Sequence, residues 1–154
     1  MSEPVRALPK LLARPLRDGE HDVMAHALRN AALPADDLDA PGRLLFRFET
    51  PNGLLAGFGG LELFGEVGLL RSIVTLPPLR GRGMGRAMVL ALETEAAAHR
   101  CDVLYLLTTS AQDFFGKLGY RVSDRDNVPA AIRQTTQFAT LCPDTAAVLV
   151  KRIG

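Results

Sequence analysis

One short stretch of the chain combines glycine and arginine in a way that suits anion binding. It runs through Arg80, Gly81, Arg82, Gly83, Met84, Gly85 and Arg86. Glycine tolerates positive φ and lets a ligand approach the main chain closely. An apolar, β-branched segment precedes the stretch and a segment with helical periodicity follows it. Free N–H groups at the start of a helix, surrounded by guanidinium groups, favour a negative charge. The stretch therefore predicts a phosphate or pyrophosphate site.

Three designs for binding phosphate can be compared with this stretch. A P-loop needs Lys followed by Ser or Thr after the last glycine, whereas Arg86-Ala87 stands there. A dinucleotide-binding turn needs the spacing G-x-G-x-x-G, which these glycines lack. The acyl-CoA turn Q/R-x-x-G-x-G/A matches every position from Arg80 to Gly85. The stretch thus resembles the central motif of the GNAT superfamily, the acetyl-CoA-dependent N-acetyltransferases.

Composition narrows the class of protein further. The chain has 154 residues, of which 47% are hydrophobic and 23% charged, and its net charge is +1. These values predict a single domain over residues 1–154, with no general attraction to nucleic acid or membranes. No secretory signal or membrane span is evident, so we expect a cytoplasmic protein with free thiols at Cys101 and Cys142. The three histidines are scattered and predict no metal site.

Hydrophobic periodicity and turn residues predict alternating strands and helices. Strands are expected at 11–17, 43–49, 54–64, 69–76, 102–109, 120–126 and 145–153. Helices are expected at 21–33, 84–99, 111–118 and 129–141. The second to fourth strands follow one another through short turns, which indicates an antiparallel meander. The fold class is therefore α/β (α+β), with a mixed sheet.

This order of elements resembles the GNAT fold over essentially the whole chain. The resemblance implies a mostly antiparallel sheet of about seven strands, flanked by helices, in which two central strands splay apart. Acetyl-CoA, the acetyl donor, would lie in that gap. Its pantetheine arm would pair with the main chain of Ile73, Val74 and Thr75, and its pyrophosphate would lie on residues 80–86. The helix at 129–141 departs from the family, which usually has a simple hairpin there.

The resemblance also defines what the chemistry requires. An amine attacks the thioester, so the site needs a neutral amine and a proton for the departing thiolate. The family pattern Y-x-x-x-G-F/Y has Phe115 in place of its tyrosine, so either the thiolate leaves without help from the enzyme or a hydroxyl substitutes. Ser110 is the candidate for that hydroxyl, or it is a helix cap. The usual glutamate position falls at Leu69. Glu66, or Glu62, could act as the base through water, or could simply be charges at a hairpin turn.

Several residues are candidates for contacting the acceptor. Arg71 lies within an apolar strand, so it must be paired or face a cavity, where it could bind an anionic group. Thr108 and Thr109 stand at a strand end, and Arg133 or Gln134 lies in the inserted helix. The stretch 104–143 resembles small N-acetyltransferases encoded with arsenic-resistance genes and the GNAT domain of N-acetylglutamate synthases. Both resemblances imply a small amino-acid-like acceptor.

Three hypotheses about function follow. The first is an enzyme that acetylates a small amine or amino acid, with a role in arsenic resistance as its finer form. The second is an enzyme similar to N-acetylglutamate synthase. The third is a non-catalytic sensor that binds acyl-CoA, which the residues at 69 and 115 leave open. Because members of the family often dimerise, the exposed sheet edge near the last strand could form a homodimer.

Overall fold

Seven β-strands form one mixed sheet in the computed structural model, which describes residues 9–141 and 146–154. The strands are β1 (Leu12–Pro15), β2 (Leu44–Glu49), β3 (Leu55–Phe64), β4 (Val67–Thr75), β5 (Val103–Thr108), β6 (Arg121–Val122) and β7 (Ala147–Arg152). The helices are α1 (Glu20–Asn30), α2 (Met84–Ala98), α3 (Gln112–Lys117) and α4 (Ala130–Arg133). The strand order is β1-β2-β3-β4-β5-β7-β6, and β2, β3 and β4 form the predicted meander.

Helices cover both faces of the sheet. Neighbouring residues of a strand point to opposite faces, so a single strand packs against helices on both sides. Leu70 of β4 packs into the large core formed with α2 and with Phe115 of α3. Its neighbour Leu69 packs with Ile132 of α4, and Phe58 of β3 packs with α1. Thus α2 and α3 cover one face, and α1 and α4 cover the other. In the part of the chain that is described, no helix is long and apolar enough to cross a membrane.

Strands β4 and β5 separate soon after they begin. They are parallel neighbours through only three residues each, Val67–Leu69 beside Val103–Tyr105. Beyond Leu69, β4 continues alongside β3 as far as Thr75, with a bulge between these two strands. At the bulge Ser72 has φ 60°, a left-handed conformation that a residue with a Cβ adopts at a cost. The predicted gap in the sheet is therefore present between β4 and β5.

The predicted long helix at 129–141 was wrong in its extent. Helix α4 ends at Arg133, and a separate π-helical turn covers Gln137–Leu141. Between them the Thr135 hydroxyl donates a hydrogen bond to the carbonyl of Ile132 at 2.7 Å. A side chain that competes for backbone groups in this way interrupts a helix. The chain therefore turns at Thr135, which places Gln137 differently from a residue on one continuous helix.

The far edge of the sheet differs from the prediction as well. The strand expected at 120–126 is reduced to Arg121–Val122, and a 3-10 turn follows at Arg125–Asn127. Strand β6 therefore occupies the edge near β7, and dimerisation there stays a prediction. Cys101 is a buried free thiol whose pKa is raised by that burial. Cys142 lies outside the described residues, so the expectation of a free thiol there is untested.

A closed ring of four charged side chains ties β4 to the rest of the sheet. Asp37 comes from the loop after α1, Arg43 precedes β2, Glu62 lies on β3 and Arg71 on β4. Arg71 Nη1 donates to Asp37 Oδ2 at 2.7 Å and to Glu62 Oε2 at 3.0 Å, while Nη2 donates to Asp37 Oδ1. Arg43 completes the ring with contacts of 2.8 Å to Asp37 and 2.9 Å to Glu62.

The ring is buried, so its members depend on one another. The Arg71 side chain is fully buried and those of Asp37, Glu62 and Arg43 are nearly so. Burial alone would raise the pKa of Asp37, but hydrogen bonds from Arg71 and Arg43 outweigh it and hold that pKa below its ordinary value. Burial alone would lower the pKa of Arg71, whereas its contacts with Asp37 and Glu62 raise it. Removal of one member leaves buried charge without compensation.

Substitution of Arg71 by methionine should therefore destabilise the protein strongly. Arg71→Met leaves Asp37 and Glu62 to share Arg43, and we expect a loss of about 3–5 kcal/mol in the free energy of unfolding. Urea denaturation followed by circular dichroism measures this loss. Arg29→Met is the control, because Arg29 is exposed and pairs with Asp36 only at 3.8 Å. It should cost less than about 1 kcal/mol, and equal losses in the two variants would contradict this role of the ring.

The stability gap between the wild type and Arg71→Met should also depend on pH. Because the pKa of Asp37 is lowered on folding, its stabilisation is present above its unfolded value of about 4 and is lost as the pH falls through the folded value. Urea denaturation from pH 6 down to pH 2.5 should show the gap narrowing below about pH 4. A gap that stays constant over this range would contradict the pairing of Asp37 with Arg71.

Candidate functional site

A cleft of about 710 Å³ opens where β4 and β5 diverge. One wall comes from β4, at residues 70–73 and Thr75, and the other from the end of β5 and the turn after it, at residues 106–111. Gly85 of α2 and Phe114 of α3 line it from one face of the sheet. The loop that follows α1, at 31–34, and Gln137 line it from the opposite face. The cleft therefore passes through the sheet and can be entered from either helical layer.

The glycine turn lies at the α2 side of this cleft. Gly81 and Gly83 have φ of 78° and 76°, a conformation that glycine adopts without strain. Gly83 is the N-cap of α2, and no side chain caps the helix there. The first helical hydrogen bond runs from Ala87 N to Gly83 O at 3.2 Å, so the N–H groups of residues 84–86 have no partner within the helix. With no acidic residue in its first turn, this helix end suits an anion.

The three arginines of the turn are arranged differently from one another. Arg80 is exposed, and its Nε donates a hydrogen bond to the carbonyl of Thr75 at 3.2 Å. This contact ties the start of the turn to the last residue of β4. Arg82 and Arg86 are exposed on the turn. Guanidinium groups match phosphate geometry, so these two side chains can add to the binding that the backbone provides.

Only some of the main-chain groups of β4 face the gap, where a ligand could bind them. Leu76 N donates to Ala56 O of β3 at 2.8 Å, and residues two apart in a strand face the same way. Val74 therefore directs its main-chain groups toward β3, which makes it unavailable to a ligand in the cleft. The same alternation directs Ile73 and Thr75 toward the gap. Of the three residues predicted to pair with a pantetheine arm, only these two have suitable main-chain groups.

Three hydroxyl-bearing residues end β5 at the mouth of the cleft. The Thr108 hydroxyl accepts hydrogen bonds from Ala111 N at 2.9 Å and from Ser110 N at 3.4 Å, which shapes the turn into α3. Ala111 is the N-cap residue, so the alternative of Ser110 as helix cap was wrong. The Ser110 hydroxyl makes no hydrogen bond to the described residues, and it lines the cleft beside Thr109. Ser110 is therefore free to act on a bound molecule.

The aromatic residues of α3 form an apolar wall without a phenol. Phe115 lines the cleft and packs edge-on against Phe114 and Tyr120. Tyr120 is buried, and its hydroxyl donates to Glu93 Oε2 at 2.8 Å. Burial and the charge of Glu93 raise the pKa of Tyr120 well above its ordinary value. This phenol belongs to the core of the protein and does not line the cleft.

The structure separates the predicted charged residues from the reaction site. Glu66 is exposed at the β3–β4 turn, where its carbonyl accepts a hydrogen bond from Asp102 N. Six residues of extended chain separate Glu66 from Ile73, a span of about 20 Å, so Glu66 cannot serve as the base there. Glu62 and Arg71 are both held in the buried ring. Arg71 borders the cleft, but its guanidinium is unavailable to a substrate carboxylate unless those pairs break.

The segment after α4 brings one unpredicted residue to the cleft. Arg133 and Gln134, the residues expected there, are both exposed and do not line it. Gln137 lines it instead, with only 6% of its surface exposed. Its Oε1 is fully buried and has no hydrogen-bond partner in the described part of the chain. A signal in the sequence was Thr135-Thr136, a pair of β-branched hydroxyl residues that weakens a helix and moves the following glutamine.

Apart from the guanidinium of Arg71, which is held in the buried ring, the polar groups that line the cleft are hydroxyls, one amide and main-chain groups. They belong to Ser72, Thr75, Thr108, Thr109, Ser110 and Gln137. No carboxylate or histidine lines the cleft within residues 9–141 and 146–154. The described residues also contain no cluster that could hold a metal ion. Such a surface can position a neutral nucleophile and donate hydrogen bonds, and it is suited to acyl transfer between bound molecules.

Comparison with known families identifies the class of protein. The model of the acetyltransferase (GNAT) family matches residues 6–120, which is most of the chain. The chain therefore belongs to the GNAT family of acetyltransferases. This confirms the predicted fold class and enzyme class, with acetyl-CoA as the acetyl donor of the family. A search of curated proteins found no significant match.

Solved structures share this fold at low sequence identity. N-acetylglutamate synthase of Neisseria gonorrhoeae, complexed with coenzyme A and L-arginine, has a TM-score of 0.73 and 18% identity over 94% of this chain. The match covers only 33% of that longer protein. Rv2747 of Mycobacterium tuberculosis, in complex with CoA, has a TM-score of 0.73 and 19% identity, with 92% of this chain and 98% of that one covered. An aminoglycoside 6'-N-acetyltransferase complexed with coenzyme A has a TM-score of 0.67 and 17% identity. That match covers 93% of this chain and 97% of the other.

Substitution of Gly83 should test the glycine turn. Gly83→Ala places a Cβ at φ 76°, which should cost about 1–2 kcal/mol in the free energy of unfolding and displace the N–H groups of α2. We expect the Kd of coenzyme A, measured by titration calorimetry, to rise about tenfold. Gly116→Ala is the matched control, because no atom lies within 4 Å of the added Cβ. Equal affinities in these two variants would contradict the assignment of the turn.

Proposed function

We propose that this protein transfers an acetyl group from acetyl-CoA to the amine of a small amino-acid-like acceptor. One observation carries the proposal: the gap between β4 and β5 leads directly to a glycine turn at the uncapped start of α2. A long thioester can place its phosphates on the turn and its acyl end between the strands. Family membership supports the same reaction class.

The residues that would hold acetyl-CoA divide into two groups. The N–H groups at 84–86 and the side chains of Arg82 and Arg86 would bind the pyrophosphate, with Arg80 holding the turn against Thr75. The main chain of Ile73 and Thr75 would pair with the pantetheine arm. When bound, the donor supplies an activated thioester carbonyl. The apolar wall of Phe114 and Phe115 would exclude water beside it.

Proton transfer in this site would depend on few groups. Because the described lining contains no carboxylate or histidine, the acceptor amine would lose its proton to water before it attacks. Ser110, whose hydroxyl makes no hydrogen bond to the described residues, would donate a proton to the departing thiolate. The predicted role of Glu66 is not retained, because Glu66 lies at the opposite end of β4. The rate should therefore rise with pH until the acceptor amine is neutral.

The size of the cleft and the resemblance of the sequence both favour a small acceptor. A volume of about 710 Å³ shared with the acyl end of the donor suits a small molecule better than a protein segment. Two matched relatives are named for small-molecule substrates, an N-acetylglutamate synthase and an aminoglycoside N-acetyltransferase. An arsenic-containing amino acid, and so a role in arsenic resistance, is the finer hypothesis. It rests on the resemblance of residues 104–143 alone.

Acetyl-CoA turnover against a panel of amines tests the proposal. Release of free thiol should be followed with glutamate, other amino acids, arsenic- and phosphorus-containing glutamate analogues, polyamines and a lysine peptide. We expect one amino-acid-like compound to stimulate release well above the background hydrolysis. Stimulation by the lysine peptide alone would contradict a small acceptor. Stimulation by an arsenic-containing analogue alone would support the finer hypothesis.

A variant of Ser110 tests the proton donor. Ser110→Ala should lower kcat about 100-fold, the lower end of the contribution of a positioned proton donor, without a change in the Kd of coenzyme A. Phe115→Tyr in the Ser110→Ala background should recover part of this loss, because it places a hydroxyl on the same wall. A kcat equal to that of the wild type in Ser110→Ala would show that the thiolate departs without this residue.

A sensor that binds acyl-CoA without turnover is the second candidate. It is favoured by the absence of a titratable base in the described lining and by phenylalanine at position 115. Tight binding of acetyl-CoA together with background rates for every amine in the panel would support it. Stimulated release with any amine would exclude it.

A further inference from the structure

Gln137 carries a buried amide that has no partner among the residues that the structure describes. Its residue surface is 94% buried, its Oε1 is enclosed without a partner, and its amide makes no hydrogen bond to residues in the described part of the chain. Buried polar groups in native proteins are almost always paired, so this exception needs an explanation. Because Gln137 also lines the cleft, a bound molecule can provide the missing partner.

The neighbours of Gln137 are all held in place. Thr135 is buried, its hydroxyl donates to Ile132 O, and its carbonyl accepts from Ala139 N at 2.9 Å. The Thr136 hydroxyl accepts from Arg43 at 3.5 Å, which connects the segment to the buried ring. The Phe138 ring lies 5.3 Å from the guanidinium of Arg125. The backbone at Gln137 is thus fixed on both sides, while its amide has no partner within residues 9–141 and 146–154.

The chemistry of an amide indicates what it would recognise. The carboxamide offers one acceptor and one donor side by side, and neither end has a partner that would oppose a 180° flip. Its best complement is another neutral group that both donates and accepts, such as a carboxamide. A carboxylate would place oxygen against oxygen at Oε1. Arg71, the one cation in the described lining, is already paired with Asp37 and Glu62 and cannot neutralise such a group.

We propose that Gln137 determines acceptor specificity by hydrogen bonding a neutral amide on the acceptor, and so selects against a carboxylate at that position. This inference rests on the proposed function, because it assigns the class of acceptor for that site. Gln137 would act on binding of the acceptor, whereas the glycine turn and Ser110 act on the donor. Its substitution should therefore affect the acceptor and leave the affinity for coenzyme A unchanged.

Kinetics with three amino acids of similar length test the inference. L-glutamine carries an amide, L-glutamate a carboxylate and L-methionine neither group. The wild type should use glutamine with a kcat/KM at least about tenfold above that for glutamate. Gln137→Met should lower kcat/KM for glutamine about 3- to 10-fold, the value of one or two hydrogen bonds, and leave that for methionine unchanged or raised. Gln134→Met, at an exposed neighbour, should leave all three values unchanged.

The unfolding midpoint of the free protein provides a second readout. If the amide has no partner before the acceptor binds, Gln137→Met removes an unsatisfied buried group and should raise the urea midpoint. A lowered midpoint, or an equal loss of activity with glutamine and methionine, would overturn the inference, as would a wild-type preference for glutamate. If none of the three amino acids is turned over while coenzyme A binds, the proposed acceptor class fails. The midpoint then decides whether the Gln137 amide is unpaired.

Discussion

Strand β4 has a partner on one side only once it passes Leu69, and the site depends on this. Main-chain groups that are buried without partners are costly, at about 1–3 kcal/mol each. A gap in the middle of a sheet therefore persists only where water or a ligand can satisfy those groups. Pairing with β3 keeps β4 extended as far as Thr75. The bulge with Ser72 at positive φ changes the direction of the strand at the point where the gap opens.

The buried ring supports β4 where this strand borders the cleft. Arg71 extends from the diverging part of the strand into contacts with Asp37 and Glu62, which belong to a loop and to the neighbouring strand. Arg43 links the same ring to Thr136, next to the glutamine in the cleft. The ring thus connects the strand that would bind the donor with the segment proposed to bind the acceptor. The buried charge of Arg71 is therefore structural, because Asp37 and Glu62 balance it without a substrate.

Periodicity and glycine spacing predicted the meander and the glycine turn, because they report local structure directly. The gap between the central strands was predicted only from the resemblance to the GNAT fold. The sequence did not predict that Glu66 lies far from the cleft. Glu66 is close to Ile73 in sequence, but the extended chain between them spans about 20 Å. The sequence also could not predict the partners of Arg71, since Asp37 is 34 residues away and lies in a loop. The long helix at 129–141 failed because the hydroxyl of Thr135 competes for the backbone. Because of that local competition, Gln137 lines the cleft in place of Arg133.

Amide hydrogen exchange, followed by NMR with and without coenzyme A, can locate the donor site in the gap between β4 and β5. We expect coenzyme A to slow exchange at Ile73, Thr75 and residues 84–86, whose N–H groups face the gap or the helix start. Exchange at Val74 should stay unchanged, because its N–H faces β3. Uniform protection along β4, or no protection at the start of α2, would contradict a donor site in the gap between the strands.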